Sequence, residues 1–127
     1  MREMTINIIE NKALLLGDND FETGALILEA GKEVKEGAFL KRGDPGLFVP
    51  VTDTATEEPV AFVPVTVKNT RSEPLRISLR GCISGKVRAD MLNVNGAKAT
   101  TAQIDVLRKF TGIVPIFAND ISRTMEV

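Results

Sequence analysis

Histidine, tryptophan and tyrosine are missing from all 127 residues. Without histidine the chain lacks both the usual general base at neutral pH and the commonest transition-metal ligand. Without tryptophan and tyrosine it lacks the strongest platforms for stacking nucleobases. A nucleophilic site would have to be assembled from lysines and carboxylates, and no serine or threonine stands in a pattern that provides one. The residue types thus predict a protein that is not an enzyme, with no catalytic, metal or cofactor site.

Cysteine is nearly absent as well. Cys82 alone cannot bridge within the chain, which excludes the disulfide framework of small secreted domains and fits manufacture in a reducing cytoplasm. A net charge of −1 offers no field for gathering nucleic acid or an anionic membrane. Long apolar runs are also missing: none approaches the roughly 20 residues that span a bilayer. The N-terminal stretch MREMTINIIENKALLLGD is interrupted at Glu3, Glu10 and Lys12 and has no small-residue cleavage site. The expectation is a soluble chain without a signal peptide, and with no nucleic acid, membrane or small-molecule ligand among its partners.

What is present suits a globular domain. Charged residues at 26% and hydrophobic ones at 43% are ordinary proportions, and the length is enough to bury a core without disulfides or a metal. No linker or repeat divides the chain. The reading is an arm over residues 1–11 followed by a single domain over residues 12–127.

Short apolar or alternating runs fill the first two thirds: ALILEA (25–30), GAFLKR (37–42), LFVPV (47–51), PVAFVPVTV (59–67) and LRISLRGCI (75–83). Gly, Pro, Asp and Asn separate them at close intervals, the pattern of an all-β sandwich or small barrel. In the last run Leu75, Ile77 and Leu79 face one side and Arg76, Ser78 and Arg80 the other. Pro50, Pro59 and Pro64 lack the N–H of a central ladder, which assigns them to edges, strand starts or bulges.

Farther on, a short helix is read over residues 86–92, then a turn at Asn95-Gly96. The strongest helical signal follows. Thr100 and Gln103 form a capping box, Ile104, Leu107 and Phe110 recur every third residue as a buried stripe, and Arg108 and Lys109 suit the carbonyl end. Gly112 is read as the left-handed cap, and IVPIF (113–117) as a return to the sheet.

Four short motifs invite chemistry and are better explained without it. EVKEGAFL resembles the half-hairpin of lipoyl and biotinyl carriers, but no Met-Lys-Met or Asp-Lys-Ala tip accompanies it; Val34, Phe39 and Leu40 read as core. Arg42-Gly43-Asp44 spells an adhesion tripeptide, yet RGDPG is turn chemistry. GCISGKV is one residue short of a phosphate-binding loop and has Val87 where magnesium needs a hydroxyl, so it reads as a strand end and turn. In DNDFETGALILE the acidic spacing of a calcium loop is spoiled by a glycine one residue late, leaving a solvated turn. Cys82 reads as a small core residue.

The order of these segments is more telling than any one of them. LLLGD, then LEAGKEVKEGAFLKRG, then EEPVAFVPVTV, then LRISLRGCISGKVRADML, then TTAQIDVLRKFTGI and IVPIF resembles the lambda-type bacteriophage head decoration proteins over roughly residues 12–117. Ala61 departs from that family, which has glycine there. The resemblance implies a mainly β, barrel-like or β-tulip-like domain with one or two short helices near the C-terminus. It implies a homotrimer on the outer surface of the virion head, made in the host bacterial cytoplasm, at three-fold and quasi-three-fold sites of the expanded shell. There the trimer holds the shell against packaged DNA. The partners expected are the major capsid protein and other copies of the chain; a biotinyl- or lipoyl-like carrier or small-molecule-binding β-barrel, or another phage virion accessory protein, is the alternative.

Two surfaces follow as expectations. The uncharged run at Met4, Thr5, Ile6, Asn7, Ile8 and Ile9, with Glu10, offers backbone for adding a strand to a capsid subunit. Pro64 and the run Val114, Pro115, Ile116 and Phe117 are expected at the trimer contact, because edge strands and apolar patches on a small domain tend to be covered by a neighbour.

Overall fold

The computed structural model of the chain describes residues 13–117. The polypeptide is mainly β, with a nearly closed barrel-like sheet and one helix near the C-terminus. Ten strands and that helix run in the order β1 (Asp20–Leu28), β2 (Glu33–Val34), β3 (Phe39–Arg42), β4 (Phe48–Pro50), β5 (Ala61–Phe62), β6 (Val67–Lys68), β7 (Leu75–Arg88), a 3₁₀ turn (Ala89–Met91), β8 (Asn93–Val94), β9 (Ala97–Lys98), α1 (Thr101–Phe110) and β10 (Gly112–Ile116). The expected arm lies outside the described residues.

β7 organises the barrel. On one edge it pairs antiparallel with β1, and on the other with β5 at Phe62 and Cys82. β3 follows β5, and β4 follows β3. The ring nearly closes where a single bridge joins Ala25 of β1 to Leu47 beside β4, with the Ala25 N–H donating to the Gly46 carbonyl at 3.0 Å. Beyond the five barrel strands, residues 14–16 continue β1's edge through a bridge from Leu15 to Val87, and β10 runs parallel to β7 on the β5 edge.

Where β3, β5 and β7 meet, at Phe39, Leu40, Ala61, Phe62, Gly81 and Cys82, the wall is buried on both faces, which explains why AFL and VAFV read as continuous apolar runs. Leu26, Leu40, Phe48, Ala61, Val63 and Leu79 fill the barrel. Phe39, Phe62 and Cys82 point the other way, into a second cluster with Leu92, Val94, Ile104, Leu107 and Ile113. The C-terminal third is therefore an outer layer packed on the barrel wall.

Several expectations hold. Alternation over residues 75–80 is as read, the arginines and Ser78 exposed and the aliphatic residues turned inward. Pro50 ends β4, while Pro59 and Pro64 flank β5. Asn95-Gly96 turns β8 into β9, and Asn95, at φ 53°, is the one non-glycine residue with positive φ among those described. The Thr100 and Gln103 capping box is present in both directions, at 3.2 and 2.9 Å. Val34, Phe39 and Leu40 are core.

Others are corrected. Residues 86–88 are strand and only 89–91 turn, so no α-helix occupies 86–92. GCISGKV lies wholly inside β7, and Asp20 already opens β1 where a solvated turn was expected. The cause in both places is a β-bulge: Asp20 pairs with Ser84 and Phe21 with Cys82, leaving Ile83 extra. One extra residue exchanges the faces of a strand, so Cys82 before the bulge and Val87 after it reach the same cluster. Phe110 is 40% exposed, because Ile104 and Leu107 alone meet the wall. Gly112 is no left-handed cap. Thr111 ends the helix in extended conformation, its Oγ1 donating to the Leu107 carbonyl at 2.8 Å and accepting the Ile113 N–H at 3.1 Å.

Candidate interaction surface

Leu14 is buried and Leu16 exposed, and between them two backbone hydrogen bonds hold the first described segment to β7. The Leu16 N–H donates to the Lys86 carbonyl at 3.0 Å and the Arg88 N–H to the Leu14 carbonyl at 2.8 Å. On the opposite edge of β7, Val114 is registered with Lys86 and Ile116 with Arg88. Both ends of the described residues thus flank Arg88, at one pole of the barrel.

This pole carries exposed apolar side chains. Leu16 and Val114 stand on either side of Lys86 in one row of the sheet, 37% and 48% exposed, and Phe117 follows at 42%. An aliphatic row interrupted by one ammonium suits a protein surface with an apolar ridge and a carboxylate. Pro115 places no N–H in β10, which keeps that strand from acting as a fully paired edge. Arg88 turns back to Asp90, Nε to Oδ1 3.4 Å, at the start of the 3₁₀ turn.

Of the residues expected at the trimer contact, Val114 and Phe117 are exposed and Pro115 and Ile116 half-buried. Pro64 is half-buried elsewhere. It follows β5, which runs antiparallel to β7 from Cys82 towards Leu75, whereas β10 runs alongside residues 84–88 in the other direction. Its neighbour Val65 is 62% exposed. The two parts of the expected contact therefore leave β7 in opposite directions. Met4, Thr5, Ile6, Asn7, Ile8, Ile9 and Glu10 lie outside the described residues.

Cys82 is fully buried in the outer cluster. Burial pushes its thiol above the ordinary range, against weaker opposite pulls from a backbone hydrogen bond at Ser84 and from the Asn19 carboxamide. Such a thiol is inert. The RGD segment is the β3–β4 turn: the Leu47 N–H donates to the Asp44 carbonyl at 2.8 Å, and Arg42 makes a two-pronged ion pair with Glu22 at 2.5 and 2.8 Å. The β8–β9 hairpin tip is Asn95-Gly96, without a lysine to carry a prosthetic group. Among the described residues no three His, Cys, Asp or Glu stand together as metal ligands, and no helix is long and apolar enough to cross a membrane.

Sequence periodicity carries no signal for the Leu16, Lys86 and Val114 row, because its three strands are brought together from both ends of the chain. Compared with known proteins, the chain matches no family model and no curated sequence.

Proposed function

We propose that this chain is a capsid decoration protein of the lambda type. It binds as homotrimers to the outside of an expanded phage head at three-fold and quasi-three-fold sites, where it contacts the major capsid protein and stiffens the shell against packaged DNA. The observation that carries the reading is the order of elements: a β-barrel, then one capped helix that hands β10 back to the longest strand. The same order of segments carries the sequence resemblance.

Delivery of both ends of the described residues to the Arg88 pole supports a shell-facing end, with residues 4–10 adding a strand to a capsid subunit. A three-fold ring also makes sense of Pro64. Contacts around a three-fold axis are heterologous, joining two different patches of successive protomers. In this arrangement β10 and Phe117 of one copy meet Pro64 and Val65 of the next. A ligand that recognises only the assembled shell stabilises it by mass action, and three linked contacts add avidity. No chemistry is required of such a clamp.

Co-sedimentation with expanded and unexpanded heads tests the proposal. Saturable binding to expanded heads alone, in multiples of three copies per site, is the expected result; binding to neither form would overturn it. Deleting residues 1–10 should abolish binding while the domain stays folded, and Ile116→Glu should abolish trimers on the shell.

A further inference from the structure

One edge of β7 is only partly used. The Ala25 N–H turns away from β7 and donates to the Gly46 carbonyl, so Ala25 and Ser78 face each other without exchanging hydrogen bonds. By the alternation of an antiparallel ladder, Ile77 and Leu79 bond to β1, whereas Arg76, Ser78 and Arg80 direct their N–H and C=O groups to the opposite edge. Cys82 does the same and meets Phe62 of β5 there.

From Cys82 back to Leu75 that edge is open. Continuing the register of Phe62 with Cys82 sets Pro64 opposite Arg80, and Pro64 has no N–H to give. The chain then leaves β7 altogether, because β6 pairs with β2, Val67 with Val34 and Lys68 with Glu33. Among the described residues no backbone hydrogen bond reaches Arg76, Ser78 or Arg80 from that side.

A row of alternating donors and acceptors matches the backbone of one further strand. The side chains decide which strand. Arg76, Ser78 and Arg80 are exposed on the outer face, and Thr23, Ala25 and Ile27 stand beside them on β1, so no carboxylate of that strand answers the arginines. Neither arginine is in an ion pair among the described residues, and Arg80 rests over the Phe21 ring, 4.8 Å from its centroid. The two side chains leave the strand roughly 13 Å apart. A guest strand with carboxylates at that four-residue spacing meets both, since opposite charges on facing strands attract. Its alternate residues pass beside the half-buried Ile77 and are apolar in a matching partner. A second copy fits badly: antiparallel pairing of two such edges about Ser78 sets Arg76 of each against Arg80 of the other.

We infer that the open edge of β7 at Arg76, Ser78 and Arg80 takes an extended segment of another protein in which acidic and apolar residues alternate. The edge belongs to the single chain, so the inference goes beyond the decoration reading and does not rest on it.

The probes are two ten-residue peptides, one alternating glutamate with valine and the other lysine with valine, added to the full chain at neutral pH without phage heads. In the free protein the amide protons of Arg76, Ser78 and Arg80 should exchange with deuterium about tenfold or more faster than those of Ile77 and Leu79. The glutamate peptide should move the three amide signals together, saturably, and slow their exchange; the lysine peptide should leave them in place. The charge-reversed protein, Arg76→Glu with Arg80→Glu, should lose about tenfold in affinity for the glutamate peptide and bind the lysine peptide instead. Equal exchange across residues 76–80, unmoved signals, or the same response to both peptides would overturn the inference. So would the same shifts from a fully N-methylated glutamate peptide, which cannot add a strand, or from a single-stranded oligonucleotide. Because no assay contains a capsid, failure of the shell reading leaves the result standing, and the reverse.

Discussion

The Asn19 carboxamide straddles Gly85, its Nδ2 donating to the carbonyls on either side, Ser84 at 3.1 Å and Lys86 at 3.2 Å. Gly85 has φ 99°, and a Cβ there would lie 2.6 Å from that Nδ2 and 2.5 Å from the Asp18 carbonyl oxygen. The side chain of one residue thus fills the space that another leaves by having none. Gly85→Ala should cost about 2–3 kcal/mol through strain and displacement of Asn19. Asn19→Ala should cost about 1–2 kcal/mol through its hydrogen bonds. Urea denaturation of the double variant should show less than the summed loss, since either change alone opens the clasp.

Two phenylalanines separate the observed core from the helical stripe. Phe62 is fully buried on the barrel wall, and Phe62→Ala should destabilise by about 3–5 kcal/mol. Phe110→Ala should stay within about 0.5 kcal/mol, as expected for an exposed side chain. Comparable losses would return Phe110 to the core.

Cys82 should not react with a disulfide reagent at about pH 8, where an ordinary exposed thiol would. Full reaction should appear only with unfolding in denaturant. Rapid labelling of the native protein would contradict its burial.

Glu22 and Arg42 predict a modest acid dependence. The hydrogen bond from Arg42, reinforced by its charge, holds the Glu22 carboxyl below its usual range. A depressed folded value means that the pair's stabilisation is present above the ordinary carboxylate range and is lost as pH falls through the folded value. Both side chains are partly exposed, so the gain is about 0.5 kcal/mol and weakens with salt. The difference in Tm between the protein and Glu22→Gln should persist at neutral pH and shrink as the pH falls below the ordinary carboxylate range.

Local chemistry was the readable part of this fold. The capping box at Thr100, the hairpin at Asn95-Gly96 and the alternation at Leu75, Ile77 and Leu79 each need only a few neighbouring residues to be recognised. What escaped depends on distant ones. The extra residue at Ile83 breaks the period of two, so the strand looks finished at Cys82 when it continues to Arg88. Asp20 and Glu22 look like loop residues because their strand starts at a solvated edge. The row of Leu16, Lys86 and Val114 draws on residues 14–16, β7 and β10, and no window of sequence contains it.

The attachment of residues 14–16 has a mechanical meaning. They lie antiparallel to the end of β7, and two hydrogen bonds bracket the Leu15 and Val87 bridge, with Leu14 seated in the outer cluster. A pull on the chain before Ala13, directed along β7, loads both bonds and the buried Leu14 together, in shear, instead of opening them one after another. Tension entering there passes to the longest strand of the sheet, and from it to β1, β5 and β10 at once. The weak direction is across the sheet, where the same two bonds would peel in sequence.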